Sequence, residues 1–216
     1  MTTVPPCFLR GTRIATPDGE RAIESLRIGD RVILADDGVA PLKWMGVRRF
    51  RAGFFRWPEG LRPVLVKRGA LGRGLPRRDL YLSPNHALLI DGVLVEAHLL
   101  VNGTSILRFD PGPGAAIEFF NPEIAGHGAV VAEGAAAETY LDRGNREAFG
   151  NFAEYHRLYG KATPAVISFA PRIVQPWRIE WPPAPRSVGI SYTADPRPLL
   201  AAIRARLAAE GKALAG

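Results

Sequence analysis

The chain has 216 residues, 47% of them apolar and 23% charged, with a formal net charge of +7. That is the composition of a globular protein with room for one ordinary domain and an appendage. No apolar run is long enough to span a bilayer, so no membrane contact is expected. Residues 1–6 lack the basic and apolar regions of a signal peptide, which leaves localisation unknown beyond synthesis in the cytoplasm. Cys7 is the single cysteine. It cannot form an intramolecular disulfide or share a metal with a second cysteine, so it is either a small buried filler or a nucleophile.

In chain order, the first two-thirds reads as short strands. Residues 12–16 alternate and turn at Pro17-Asp18-Gly19, and residues 22–26 lead to a turn at Ile28-Gly29-Asp30. Residues 31–35 close on Asp36-Asp37-Gly38, and residues 41–49 and 63–68 read as further strands. Asp91-Gly92 joins residues 87–90 to 93–95 as a two-residue hairpin. Residues 117–120 and 129–132 complete a mainly β pattern. Past Asp142 the pattern changes. Asn145 is placed to cap a helix from Arg146 to about Leu158, stopped near Gly160. Eight prolines between residues 163 and 198 rule out a helix or central strand there and suggest an extended segment pinned by Trp177 and Trp181. Leu199, Leu200, Ile203 and Leu207 then form one apolar helical stripe. The expected organisation is a stub at 1–6, a β domain at 7–142, and an appendage at 143–216 that packs on the domain or docks a partner.

Charge is unevenly spread. Residues 43–78 hold eleven basic residues against the single acid Glu59, a balance of +10 that leaves −3 elsewhere. Trp44, Phe50, Phe54, Phe55 and Trp57 are interleaved. Basic and aromatic residues together can bind single-stranded nucleic acid. The plainer reading, which we favour, is a solubilising surface.

Residues 7–32 read C-F-L-x-G-T-x-I-x-T-P-x-G-x-x-x-I-E-x-L-x-x-G-D-x-V. This resembles the opening block of the Hint superfamily, the self-processing domains of inteins and hedgehog proteins. Leu82-Ser83-Pro84-Asn85-His86 resembles the block written T-x-x-H, and Phe119 to Ile124 with Gly126 to Gly134 resembles the late blocks. The runs Gly69 to Leu80, Leu82 to Leu94 and Leu99 to Gly103 are similar to those of a bacterial Hint-like subgroup. The resemblance spans roughly residues 7–145, and its specificity lies in the order of the blocks. It implies a flattened β horseshoe of two pseudo-twofold halves.

The chemistry it implies is an N-to-S acyl shift. Cys7 would attack the carbonyl of Pro6 and expel its own amide nitrogen, leaving a thioester for a small thiol or water to open. The substrate is then the chain's own N-terminal flanking peptide, and no cofactor or metal is required. By resemblance His86 hydrogen-bonds the Cys7 amide and protonates it as the bond breaks; the bland alternative is a turn histidine packed under a hairpin. Ser83 stands where the family usually has Thr, and its hydroxyl or N–H could hold the oxyanion. His127 matches the late-block histidine, with a structural role equally weighed. Asn121 departs from the Asp of inteins and the His of the bacterial subgroup, and an amide is neither acid nor base. The terminal His-Asn pair of inteins falls here at about Glu138 and Thr139. Thr139 has no amide to cyclise, so splicing is not expected. Only six residues precede Cys7, and the Pro6 ring stiffens the scissile bond; the first objection vanishes if the chain is part of a longer precursor. The alternatives are a degenerate Hint fold acting as an interaction module, and a nucleic-acid binder through residues 43–78.

Overall fold

A computed structural model describes residues 5–51, 57–161, 168–174, 178–180 and 195–213. Two sheets carry the fold. One has seven strands in the order Ile106–Arg108, Val64–Val66, Leu80–Leu82, Phe8–Leu9, Ala116–Ile124, Val39–Arg51, Arg31–Ile33. The other has eight: Arg178–Glu180, Arg172–Val174, Val93–Glu96, Ala87–Ile90, Ala135–Glu138, Ala129–Ala132, Arg13–Thr16, Gly19–Ala22. The mainly β expectation holds, as does the Asp91-Gly92 hairpin, where Ile90 pairs with Val93 and both turn residues have positive φ.

The register of the first sheet places the N-terminus. Phe8 faces Leu82 on one side and Phe120 on the other, both antiparallel. One step toward the N-terminus, Cys7 therefore lies between Ser83 and Asn121. The chain leaves Leu80–Leu82, turns through Ser83 to His86, and enters Ala87–Ile90 of the other sheet. That crossing places Ser83 and His86 at the seam between the two sheets.

Among the described residues two large apolar clusters hold the sheets, with a small third one at Ala87, Leu94 and Ala170. The larger includes Phe8, Ile14, Val32, Leu80, Leu82, Leu88 and Val130. Leu200, Ile203 and Leu207 of the helix Pro196–Ala213 belong to the same cluster, so this part of the appendage packs on the domain. Arg172–Val174 also joins, pairing in parallel with Val93–Glu96. The second cluster gathers Cys7, Trp44, Trp57, Phe119, Tyr140, Phe149 and Tyr155.

The expected helix over 146–158 is two pieces: a 3-10 turn at Arg146–Ala148 and an α-helix at Phe152–Tyr159. The break has a packing cause. Phe149 is extended and lies against Gly46, where an added Cβ would meet the ring at 2.7 Å. Gly150 then donates its N–H to the carbonyl of Val47. Asn145 makes no capping bond; its Oδ1 accepts from the Tyr140 hydroxyl instead. Trp177 and Trp181, proposed as pins, lie outside the described residues.

Much of the basic segment is already paired. Lys43 sits on Glu123, Arg49 on Glu118, Arg62 on Glu59 and Asp110, and Arg77 and Arg78 on Glu20. Trp44 and Trp57 are buried, the latter donating to the Gly112 carbonyl, so neither ring offers a free face for stacking. Phe54 and Phe55 lie outside the described residues.

Candidate active site

The peptide bond between Pro6 and Cys7 is gripped at both ends. The Cys7 N–H donates to Ser83 Oγ at 2.8 Å, and Ser83 N–H returns a bond to the Cys7 carbonyl at 2.8 Å. Ser83 Oγ in turn donates to the Pro5 carbonyl at 3.2 Å. Across the cleft Asn121 Nδ2 donates to the Pro6 carbonyl. A carbonyl only accepts, so this contact fixes the orientation of the amide. Asn121 Oδ1 is buried without a hydrogen-bond partner among the described residues.

These contacts differ from the arrangement the motifs imply. The polarising donor on the Pro6 carbonyl is Asn121, not Ser83. The partner of the Cys7 amide is Ser83, not His86. Asn121 makes this contact as a plain hydrogen-bond donor, which a side-chain amide can do without acid-base chemistry.

The thiol itself is fully buried. Burial pushes the Cys7 thiol far above its ordinary range, and the nearby Arg48 charge only partly opposes that. Arg48 faces Phe119 in the register of the sheet, its guanidinium lies over the Phe50 ring, and its Nη1 is buried without a hydrogen-bond partner among the described residues. The resting thiol is therefore protonated and shielded. Iodoacetamide should label the native protein far more slowly than the urea-unfolded chain, which should take up one equivalent at the rate of a free thiol. Equal rates in both states would mean that Cys7 is open to solvent.

His86 is also fully buried, its ring 4.2 Å centroid to centroid from Phe8. Its Nε2 lies 3.0 Å from the Glu138 carbonyl oxygen. That acceptor requires the proton on Nε2, which leaves Nδ1 as a bare lone pair in the neutral ring. Nδ1 is buried without a partner among the described residues. Burial holds the imidazole below its usual range, although the Glu138 charge and the backbones of Cys7 and Glu138 pull the other way. The imidazole interacts with the Cys7 backbone, and its free ring nitrogen offers the lone pair that a proton acceptor needs.

His127 lies elsewhere. Its buried ring accepts the Phe169 N–H on Nδ1 at 3.3 Å, and its Nε2 faces Glu138 Oε2 at 3.6 Å. That separation is too long for a hydrogen bond, so the contact is an electrostatic one. His98 donates its Nδ1–H to the Pro84 carbonyl at 3.1 Å, bracing the Ser83–His86 turn from outside, and the same nitrogen lies 3.4 Å from Glu96 Oε2.

The residues that the motifs missed are Glu138, Arg172, Glu96 and Arg48. Glu138 is 1% exposed and Arg172 3%. Glu138 Oε1 accepts the Ala87 N–H at 2.8 Å and its Oε2 pairs with Arg172 Nη2. Burial alone would push the Glu138 carboxyl up, but Arg172, with His127 and His86, holds it below the usual range. Arg172 Nη1 reaches Glu96 Oε1 at 3.3 Å. The sequence reached Glu138 only as the position of the terminal pair's histidine and gave it no role; Arg172 had no signal.

Glu96 gives this cluster a pH signature. Burial, the largest cause, raises its carboxyl to about 7, with Arg172 and Arg143 pulling it down and Glu138 pushing it up. The folded protein thus holds this proton more tightly than the unfolded chain from about pH 4.5 to 7. Stability falls as pH rises through that window. Glu96→Gln should lose this slope, gaining about 1–3 kcal/mol on the wild type between pH 4.5 and 8. Urea midpoints of both proteins across pH check it; a constant difference would refute the assignment.

A family model described as the Hint domain matches residues 6–144. The chain belongs to the Hint domain family. None of the curated proteins compared is similar enough to count as a relative. Among solved structures, this Hint domain is similar to the gp41-1 intein at 13% identity and a TM-score of 0.44, with 62% of this chain and 98% of that one covered. A bacterial intein-like domain from Clostridium thermocellum gives 16% identity and a TM-score of 0.45, covering 65% and 100%. A DnaB intein from Synechocystis sp. PCC 6803 gives 16% and 0.43, covering 63% and 99%. The Hint match ends at residue 144, so Arg172 and the helix Pro196–Ala213 lie outside the matched region.

Proposed function

We propose that this Hint domain is an autoprocessing unit that cleaves at the Pro6–Cys7 bond through an N-to-S acyl shift. The observation that carries the reading is the grip on that one peptide: Asn121 on its carbonyl, Ser83 on its amide, and the only thiol of the chain on the next atom but one.

In the step so assigned, the Cys7 thiol passes its proton to His86 Nδ1 and its sulfur attacks the Pro6 carbonyl carbon. The oxyanion forms at the oxygen already bonded to Asn121 Nδ2. Ser83 Oγ keeps the nitrogen of Cys7 oriented as the carbon–nitrogen bond breaks, and the proton on His86 transfers to that nitrogen. One carbon–sulfur bond replaces one carbon–nitrogen bond, with no net loss of protons. A small thiol or water then opens the thioester and frees the upstream segment.

Ligation of the two flanks is not part of this reading. Thr139 has no side-chain amide, and its Oγ1 is engaged by the Gly128 N–H at 3.1 Å. The test is a folded domain fused upstream of Pro5 and followed by intact mass with and without dithiothreitol. Release of that domain with a mass break between Pro6 and Cys7 supports the proposal. A fusion that stays whole in thiol across pH 6 to 9 overturns it and leaves the interaction-module reading.

A further inference from the structure

Arg172 reaches the site from outside the region that defines the family. It sits on Arg172–Val174, which extends the eight-stranded sheet through a parallel pairing with Leu94 and Val95. Its guanidinium enters the seam at Glu138 and bridges to Glu96. Glu138 is the hub of that seam. Its carbonyl oxygen fixes the Nε2–H tautomer of His86, one carboxylate oxygen ties down the Ala87 N–H next to His86, and the other faces His127.

We propose that Arg172 is a positioning residue of the processing centre, acting through Glu138 to hold the His86 turn and keep the His86 ring neutral. The proposal rests on the autoprocessing reading. Its physical basis is that a buried carboxylate must find a cation. With Arg172 present, that need is met from the appendage. Besides Arg172, the groups among the described residues that act on the Glu138 carboxylate are the imidazoles of His127 and His86. A protonated His86 cannot accept the thiol proton.

The test uses the full chain, with the upstream fusion for rates and histidine ring NMR for titration, His86 being assigned by signal loss in His86→Gln. Arg172→Met should slow thiol-induced release roughly tenfold or more. It should also raise the His86 midpoint by about one pH unit, the sign expected when a nearby positive charge is removed. Arg172→Lys should keep the midpoint low. Arg172→Met combined with Glu138→Gln removes both charges and should return the midpoint toward that of the wild type. If Arg172→Met does not fold, a folded double variant still supports the proposal, because only the unpaired charge was at fault; failure of both to fold overturns it in favour of plain packing. A folded Arg172→Met with an unmoved His86 midpoint overturns it as well, whatever the cleavage rate. If the wild-type fusion itself never cleaves, the autoprocessing reading fails, and the midpoints still decide whether Arg172 controls His86.

Discussion

Cys7→Ala is expected to abolish thiol-dependent release of an upstream domain, with no residual rate, because no other thiol exists in the chain. The substitution is gentle on the fold. Cys7 is a fully buried side chain in an apolar cluster, and alanine removes one sulfur and no hydrogen bond from the backbone grip on the peptide. The fusion should therefore stay folded and simply remain whole. His86→Ala should slow release by on the order of 10²–10⁴-fold, the range for losing a positioned acid-base group. Pro6→Gly should speed it, since the ring restrains the bond that must twist. Rates are read from intact mass over time. Release persisting in Cys7→Ala would place the cleavage on another nucleophile and end the acyl-shift reading.

Most of the fold was legible because its signals are local. The short alternating strands, the Asp91-Gly92 turn and the apolar stripe of the last helix each reflect period or turn chemistry within a few residues. The gathering of Cys7, Ser83 and Asn121 was legible only through the resemblance, since it depends on two strand registers between segments 76 and 114 residues apart. What no motif carried was the direction of each polar bond. Asn121 looked like a loss of acid-base capacity, yet the pleat points its amide at the Pro6 carbonyl. The split of the 146–158 helix was hidden for a similar reason: Gly46, a hundred residues earlier, leaves the slot that draws Phe149 out of helical geometry. Arg172 lay in a proline-rich stretch where pattern offers no guide to strand pairing.

The resting site is quiet by construction. The protonated Cys7 thiol is buried in an apolar cluster and the His86 ring is buried against Phe8, so neither is exposed to solvent or to stray electrophiles. In the proposed acyl shift the charge that develops is the oxyanion at Pro6, whose oxygen already accepts from Asn121 Nδ2.

Asn121→Ala is the second large effect expected. Removing a single oxyanion donor costs roughly 10²–10³ in rate, or about 3–4 kcal/mol of barrier. Here the loss should fall at the upper part of that range, because Asn121 is buried and water cannot readily replace it. The Ser83 hydroxyl cannot substitute, being committed to the Cys7 amide and the Pro5 carbonyl. Ser83→Ala should accordingly be milder, since the backbone bond from Ser83 N–H to the Cys7 carbonyl survives. Asn121→Asp separates shape from donation. It keeps the side-chain outline but, when ionised, presents only acceptors to the Pro6 oxygen. Its rate should recover as pH falls and the acid regains a proton to donate. The measurement is the single-turnover release rate of each fusion between pH 5 and 8. A pH-independent Asn121→Asp matching the wild type would show that the amide is not the oxyanion donor.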